Sequence, residues 1–369
     1  MPDRRETLRL LREADLPLLA GVAALFVMGM AMLWRIAPPS EENSYALRQL
    51  MWMAAGLAAM AAAWRVDYVT LARLSRLAWG ASLLLLVLIL LFGRETAGAR
   101  SWIDFGPFSF QPSEMAKLSA LLLGSAYLSD QRRERASFGR NRFLALALIF
   151  GLPAALTALQ PDLGSALSFV PVFLLFLYLG EADWRWFAAM ALLAAMLLPA
   201  AWFGLLKDYQ KARLMSFLNP GADPKGAGYQ VMQAKIAVGA GGWAGRSMDI
   251  PTQSQLRFVP AQHTDFIFAV HAESWGLMGV AAAMGAYLLV LFRLLRIAET
   301  AKDSLGFFLC SGIFALVLAQ AMLGMGMAIG FFPVTGLPLP WMSYGGSALA
   351  AFMAAAGLAL NVRARRFVN

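Results

Sequence analysis

The chain has 369 residues, 60% of them hydrophobic and 14% charged, with a mean hydropathy of +0.61. Soluble domains carry about a quarter charged residues and just under half apolar ones, so a soluble enzyme on a membrane tether and a disordered chain are both excluded. The net charge of +9 would point to nucleic acid in a soluble protein, whereas in a membrane protein it has first to be weighed against orientation.

In chain order, apolar blocks fall at 16–34, 47–64, 77–92, 114–128, 143–159, 163–180, 187–206, 265–292, 305–330 and 347–360. They predict an all-α polytopic membrane protein with about ten transmembrane helices and one long extracytoplasmic loop, 207–264, in a single domain over 1–369. The third, fourth and last blocks are short, so tilt or extension at their ends is expected. The eighth is long, and a kink is expected near Gly276 or Gly279. Arginines precede the first block and no small-residue cleavage site follows it, which reads as a retained span. The lone cysteine, Cys310, lies inside an apolar run and says nothing about redox compartment.

With the N-terminus placed in the cytoplasm, most of the 31 lysines and arginines fall on cytoplasmic pieces. The short outer loops keep Arg35, Arg48, Arg94 and Arg100. This is the bias of the positive-inside rule, so the basic balance is mainly topology and nucleic acid is not the expected partner. Both termini are then cytoplasmic, and 94–113, 160–162, 207–264 and 331–346 face outward. The apolar surfaces imply contact with membrane lipid.

An ionisable residue within a span is costly and marks a functional hypothesis. Glu114 and Lys117 lie three apart at the start of a segment and share a helix face. They read either as a structural ion pair or as a cation held toward a polar cavity. Asp162 and Asp265 each sit where an apolar segment begins, where an acid is favoured as a helix cap. Glu273 and His271 lie deeper, and Glu273 is about 12 Å beyond Asp265 along a helix, too far for direct cooperation. In the long loop, Lys211 and Arg213 are either phosphate ligands or solvated charges. The Gly239–Gly242 stretch lacks the spacing of a dinucleotide fingerprint. Two histidines and one cysteine exclude the usual zinc site.

The ordered strings narrow this reading. They are Gly98-Ala99-Arg100-Ser101-Trp102, Gln111-Pro112-Ser113-Glu114-Met115-Ala116-Lys117 and Gln160-Pro161-Asp162-Leu163-Gly164-Ser165. Tyr209-Gln210-Lys211-Ala212-Arg213 and Gln262-His263-Thr264-Asp265-Phe266 follow, then Pro333-Val334-Thr335-Gly336-Leu337-Pro338 and Ser343-Tyr344-Gly345-Gly346-Ser347. In this order the chain resembles the SEDS (shape, elongation, division and sporulation) family, and its Pro-Val-Thr-Gly-Leu-Pro string is closer to the RodA members than to the FtsW members. Three positions depart from the family pattern: Ala261 after Pro260, Ser274 after Glu273, and Gly324 in the ninth span.

The resemblance implies a peptidoglycan glycosyltransferase of the bacterial cytoplasmic membrane that polymerises lipid II beside a class B penicillin-binding protein. It places the essential aspartate on Asp265 and the family's Glu/Lys pair on Glu114 and Lys117. The chemistry needs a base for the acceptor hydroxyl and charge stabilisation for a departing diphosphate. Asp265 is the expected base. Lys117 oriented by Glu114, with Lys211 and Arg213, are the expected diphosphate ligands, and Arg100 and Asp162 are further candidates. A divalent cation such as Mg²⁺ is a candidate companion of the diphosphate, with no dedicated cage visible. The alternative reading is a flippase for the lipid-linked precursor, against which stand the missing internal repeat and the polar residues gathered toward one face.

Overall fold

The computed structural model describes residues 13–36, 44–93, 101–105, 108–134, 138–204, 208–219, 226–246 and 253–366. Three long helices come first: α1 (Leu16–Ile36), α2 (Ser44–Arg65) and α3 (Tyr68–Phe92). A small antiparallel pair, β1 (Ile103–Phe105) with β2 (Phe108–Phe110), aligns Ile103 with Phe110 and leads into α4 (Pro112–Arg133). Then come α5 (Arg140–Leu159), α6 (Leu163–Leu167), α7 (Phe169–Leu179) and α8 (Trp184–Gly204). The segment expected as one long loop holds two further helices, α9 (Asp208–Leu218) and α10 (Ala227–Ala240). The chain closes with α11 (Ile267–Glu299), α12 (Ser304–Ile329) and α13 (Gly346–Ala364).

Among the described residues, α1, α2, α3, α5, α11, α12 and α13 are long and apolar enough to cross a membrane, and the chain is a multi-pass membrane protein. The other three expected spans coincide with α4, with the α6–α7 pair broken at Ser168, and with α8. Helix α4 is diluted by Glu114, Lys117 and polar residues at its end, which is why apolar length alone does not mark it. Several helices begin earlier than the apolar pattern predicts. Helix α3 starts at Tyr68 because Asp67 caps it, its carboxylate accepting from the Val69 N–H at 2.9 Å.

Helices α12 and α13 are enclosed on most sides. Helix α2 packs along α13, α3 along α4, and α11 against both α12 and α1. At one end of the bundle the fully buried Asp15 receives Arg293 at 2.6 Å and Arg363 at 2.7 Å, and also caps α1 through the Leu18 N–H. This tethers the starts or ends of α1, α11 and α13. Breaking such a buried cluster by removing one partner costs about 3–5 kcal/mol.

Helix α11 carries the expected kink, and its cause is Gly276, at φ 62° and ψ −158°. The break releases the N–H groups of Leu277 and Met278, which donate to the carbonyls of Gly242 (2.9 Å) and Trp243 (3.1 Å). In return, the Arg246 N–H donates to the Glu273 carbonyl at 3.0 Å. The turn 241–246 is thus inserted into the helix. A Cβ on Gly276 would lie 2.4 Å from the Gly245 nitrogen, and one on Gly241 would lie 2.0 Å from the Ala272 carbonyl oxygen. The glycine stretch that fits no nucleotide motif is therefore required for close backbone approach. Gly276→Ala is expected to lower stability by about 1–3 kcal/mol or more, read as a fall in the thermal unfolding midpoint of the purified protein.

Candidate active site

The N-terminal ends of α4, α6 and α11, with helix α9 and the 331–345 segment, enclose a polar cavity of about 300 Å³. Asp265, Arg213, Asp162 and Gln111 line it, along with Thr335 and Tyr344. Each is delivered by a different local structure. Asp265 stands in a turn two residues ahead of α11, where the N–H groups of Thr264, Asp265 and Phe266 all point to the Ala261 carbonyl at 3.1–3.3 Å. Ser343 fastens that turn to the opposite segment: its hydroxyl donates to the Thr264 carbonyl at 2.7 Å and accepts the Leu339 N–H at 2.9 Å. The Tyr344 N–H donates to the His263 carbonyl, and Tyr45 stacks on His263 with ring centroids 4.5 Å apart.

Asp265 was expected either to cap its helix or to serve chemistry, and it does not cap: Phe266 holds the cap position with no side-chain cap bond. Burial raises the Asp265 pKa above the 3.8 of an ordinary aspartate. A hydrogen bond from the Thr264 side chain and the charge of Arg213 oppose the rise, while Asp162 adds to it. A Cβ built on Gly336 would stand 3.8 Å from Asp265 Oδ2 and 3.9 Å from Arg213 Nη1. The carboxylate and the guanidinium therefore flank one point in the cavity, where the absence of a side chain leaves room.

Asp162 makes two contacts, one in a helix cap and one in the cavity wall. Its Oδ1 accepts the Ser165 N–H at 3.0 Å, capping α6, and its Oδ2 accepts the Gln111 Nε2 at 2.7 Å inside the cavity wall. Glu114 and Lys117 form a fully buried pair at 2.7 Å, one and two turns along α4 from Gln111. Neither lines the cavity: the pair lies buried behind its wall, with the Lys117 ammonium held by Glu114. Lys211 is half-buried on α9 and is likewise outside the lining. Arg100 lies outside the described residues. Glu273 is a structural carboxylate, accepting from the Gln253 N–H at 2.6 Å and from the Ser254 N–H and hydroxyl. The residues that a search for ionisable groups missed are Gln111, Thr335, Gly336 and Tyr344. All four stand in the ordered strings but carry no charge to announce them.

A sequence model of the family described as cell cycle protein, spanning FtsW, RodA and SpoVE, matches residues 15–367. The chain is 40% identical over 284 residues to peptidoglycan glycosyltransferase MrdB of Escherichia coli strain K12, covering 77% of this chain and 76% of that one. It is 33% identical over 349 residues to stage V sporulation protein E of Bacillus subtilis strain 168, covering 94% of each. In structure it is similar to the rod shape determining protein RodA of Thermus thermophilus, with TM-score 0.73, 31% identity and coverage of 96% and 98%. It is also similar, at TM-score 0.82 and 32% identity over 96% of this chain and 99% of the other, to a chain of a peptidoglycan synthase complex solved to show coordination of polymerization and crosslinking. The protein is a polytopic member of a class of membrane glycosyltransferases. The chain belongs to the FtsW/RodA/SpoVE family.

The buried Glu114–Lys117 pair predicts a non-additive mutant series. Glu114→Gln or Lys117→Met alone should destabilise by about 3–5 kcal/mol, each leaving a buried charge unpaired, while the double variant should recover most of the loss. Thermal unfolding of the purified single and double variants measures this coupling.

Proposed function

We propose that this cavity polymerises lipid II into glycan strands, with Asp265 as the general base. The observation that carries the reading is the placement of Asp265 and Arg213 around one open point in a cavity that no side chain fills. The acceptor hydroxyl forms a new bond to the donor's anomeric carbon as Asp265 takes its proton. The bond from that carbon to the diphosphate breaks, and the departing diphosphate keeps the electron pair. Attack opposite the leaving group inverts the anomeric centre. Diphosphate leaves readily without a proton, so a single carboxylate acting as base suffices, unlike the two-carboxylate scheme of most glycosidases.

Arg213 is the diphosphate ligand this geometry favours, because its planar donors suit phosphate oxygens and it faces the same point as the base. Lys211, two residues away on α9, stands as a more distant cation. Asp162 and Gln111 form a hydrogen-bonded wall suited to sugar hydroxyls. A divalent cation such as Mg²⁺ is compatible with this set, since it usually takes one or two carboxylates and the phosphates of its substrate. When bound, it would neutralise charge on the leaving diphosphate.

The lipid tail has a matching surface. An apolar groove of about 590 Å³ runs between α7 and α12, from Leu167 and Phe332 past Val170, Leu174 and Leu318. Leu167 is one helical turn from Leu163 of the polar cavity, and Phe332 is three residues from Thr335. The arginine distribution supports cytoplasmic termini and a cavity facing outward from the bacterial cytoplasmic membrane. Similarity to a chain of a peptidoglycan synthase complex supports assembly with a class B penicillin-binding protein.

Asp265→Asn keeps size and removes basicity. Polymerisation of purified lipid II by the folded, partner-bound variant should fall about 10²–10⁴-fold. Normal chain growth would end the assignment, and because lipid II is supplied directly, a flippase would show no activity at all in the same assay. The pH profile gives a second test. Asp265 works only ionised, so activity is lost as pH falls through its raised pKa, placing the acid limb above that of an ordinary aspartate. Arg213→Gln removes a charge that holds this pKa down, so the limb should move to higher pH while KM for lipid II rises.

A further inference from the structure

A second polar cleft lies at the other end of the molecule. Helix α4 has 22 residues, so about 33 Å separate Gln111 at the catalytic cavity from the arginines at its far end. There a cleft of about 150 Å³ is lined by Arg132, Arg142 and Glu181 around its mouth, with Leu128, Leu179 and Phe308 among its apolar walls.

Arg142 sets the character of the cleft. It is only 8% exposed, yet no carboxylate pairs with it among the described residues. Its Nε donates to the Gln131 side-chain oxygen at 2.8 Å and its Nη2 to the Gln131 carbonyl at 3.1 Å. Those bonds fix the guanidinium without a direct carboxylate partner, the nearest link to an acid running through Gln131, whose Nε2 donates to Glu134 at 3.3 Å, in contrast to the buried Lys117 of α4, which pairs with Glu114. Arg142 also stands in the first turn of α5, a 20-residue helix whose Gly139 cap position supplies no side-chain acceptor. A cation there opposes the helix dipole and calls for an anion. Arg132 is exposed beside it, its guanidinium 5.9 Å from the Phe307 ring centroid and in no ion pair among the described residues. Glu181 is exposed and pairs with neither arginine among the described residues.

We propose that this cleft binds the headgroup of an anionic phospholipid of the cytoplasmic leaflet. Its phosphate sits between Arg132 and Arg142, the first carbons of its chains lie against Leu179 and Phe308, and Glu181 accepts from headgroup hydroxyls. Two forked cations around a pocket of this size suit one phosphodiester. The apolar walls distinguish a lipid from free phosphate. Binding at this end is separate from the polymerisation chemistry and stands whether or not that reading holds.

The test uses the full chain, delipidated in a neutral detergent, with native mass spectrometry and thermal unfolding as readouts. Phosphatidylglycerol, phosphatidylcholine and inorganic phosphate are the three probes. The expected result is saturable phosphatidylglycerol binding with a raised unfolding midpoint, no matching shift with the other two probes, and about tenfold weaker binding in Arg132→Gln. Arg132 donates no hydrogen bond among the described residues, so this variant should fold even where Arg142→Gln does not. Arg185→Gln, at an exposed arginine of the same end, should bind as the parent does. Full phosphatidylglycerol binding by Arg132→Gln, equal binding of phosphatidylcholine, or displacement by equimolar inorganic phosphate would overturn the proposal.

Discussion

In a bilayer each unsatisfied backbone N–H or C=O costs several kcal/mol, so a chain can leave the helix only where other protein groups take up the freed donors and acceptors. The half of this molecule that holds the polar cavity departs from helix repeatedly, and several of these departures are stitched among the described residues. The Gly276 break is filled by the turn 241–246. The turn before α11 gathers three N–H groups on the Ala261 carbonyl. Ser343 and Gln49 close the 331–345 segment, the Gln49 side chain donating to the Ser343 carbonyl at 3.0 Å. Because the irregular backbone is satisfied in this way, a polar cavity can exist beside apolar spans.

Charge follows the same economy. Asp15 is neutralised by two arginines, and Glu114 and Lys117 by each other. These pairs cost desolvation and return little net stability, but losing one partner is expensive, so they act as fixed joints. Asp265 differs: burial raises its pKa above that of a surface aspartate, and the charge of Arg213 opposes that rise. The carboxylate proposed as the base is thus distinguished from the structural ones by a cavity on one side.

The helical class and a break near Gly276 or Gly279 were legible in the sequence, and Asp265 stood out as a candidate, because apolar length, a glycine in a long span and an acid at a segment start are local signals. The sequence grouped Arg213 and Lys211 as candidates in one string, and only Arg213 lines the cavity. It could not separate Arg213 from Lys211, since the choice depends on which face of α9 meets the 331–345 segment. For Lys117 the partner Glu114 is visible three residues away, but whether the pair opens to a cavity or is sealed depends on helices distant in sequence. Gln111, Thr335 and Tyr344 are uncharged, and only the assembled walls reveal them. The helices inside 207–264 escaped notice because their mixed composition carries no spanning signal.

The fastening of Thr264 by Ser343 makes the stretch between α12 and α13 a ruler. Its residue count sets how far the acid projects and where Gly336 opens space before it. Substitutions along that stretch can be absorbed by side-chain repacking, whereas one inserted or deleted residue would slide the fastening point and carry the Asp265 carboxylate out of register. Length, more than composition, is the property of this connection that divergence has least freedom to alter.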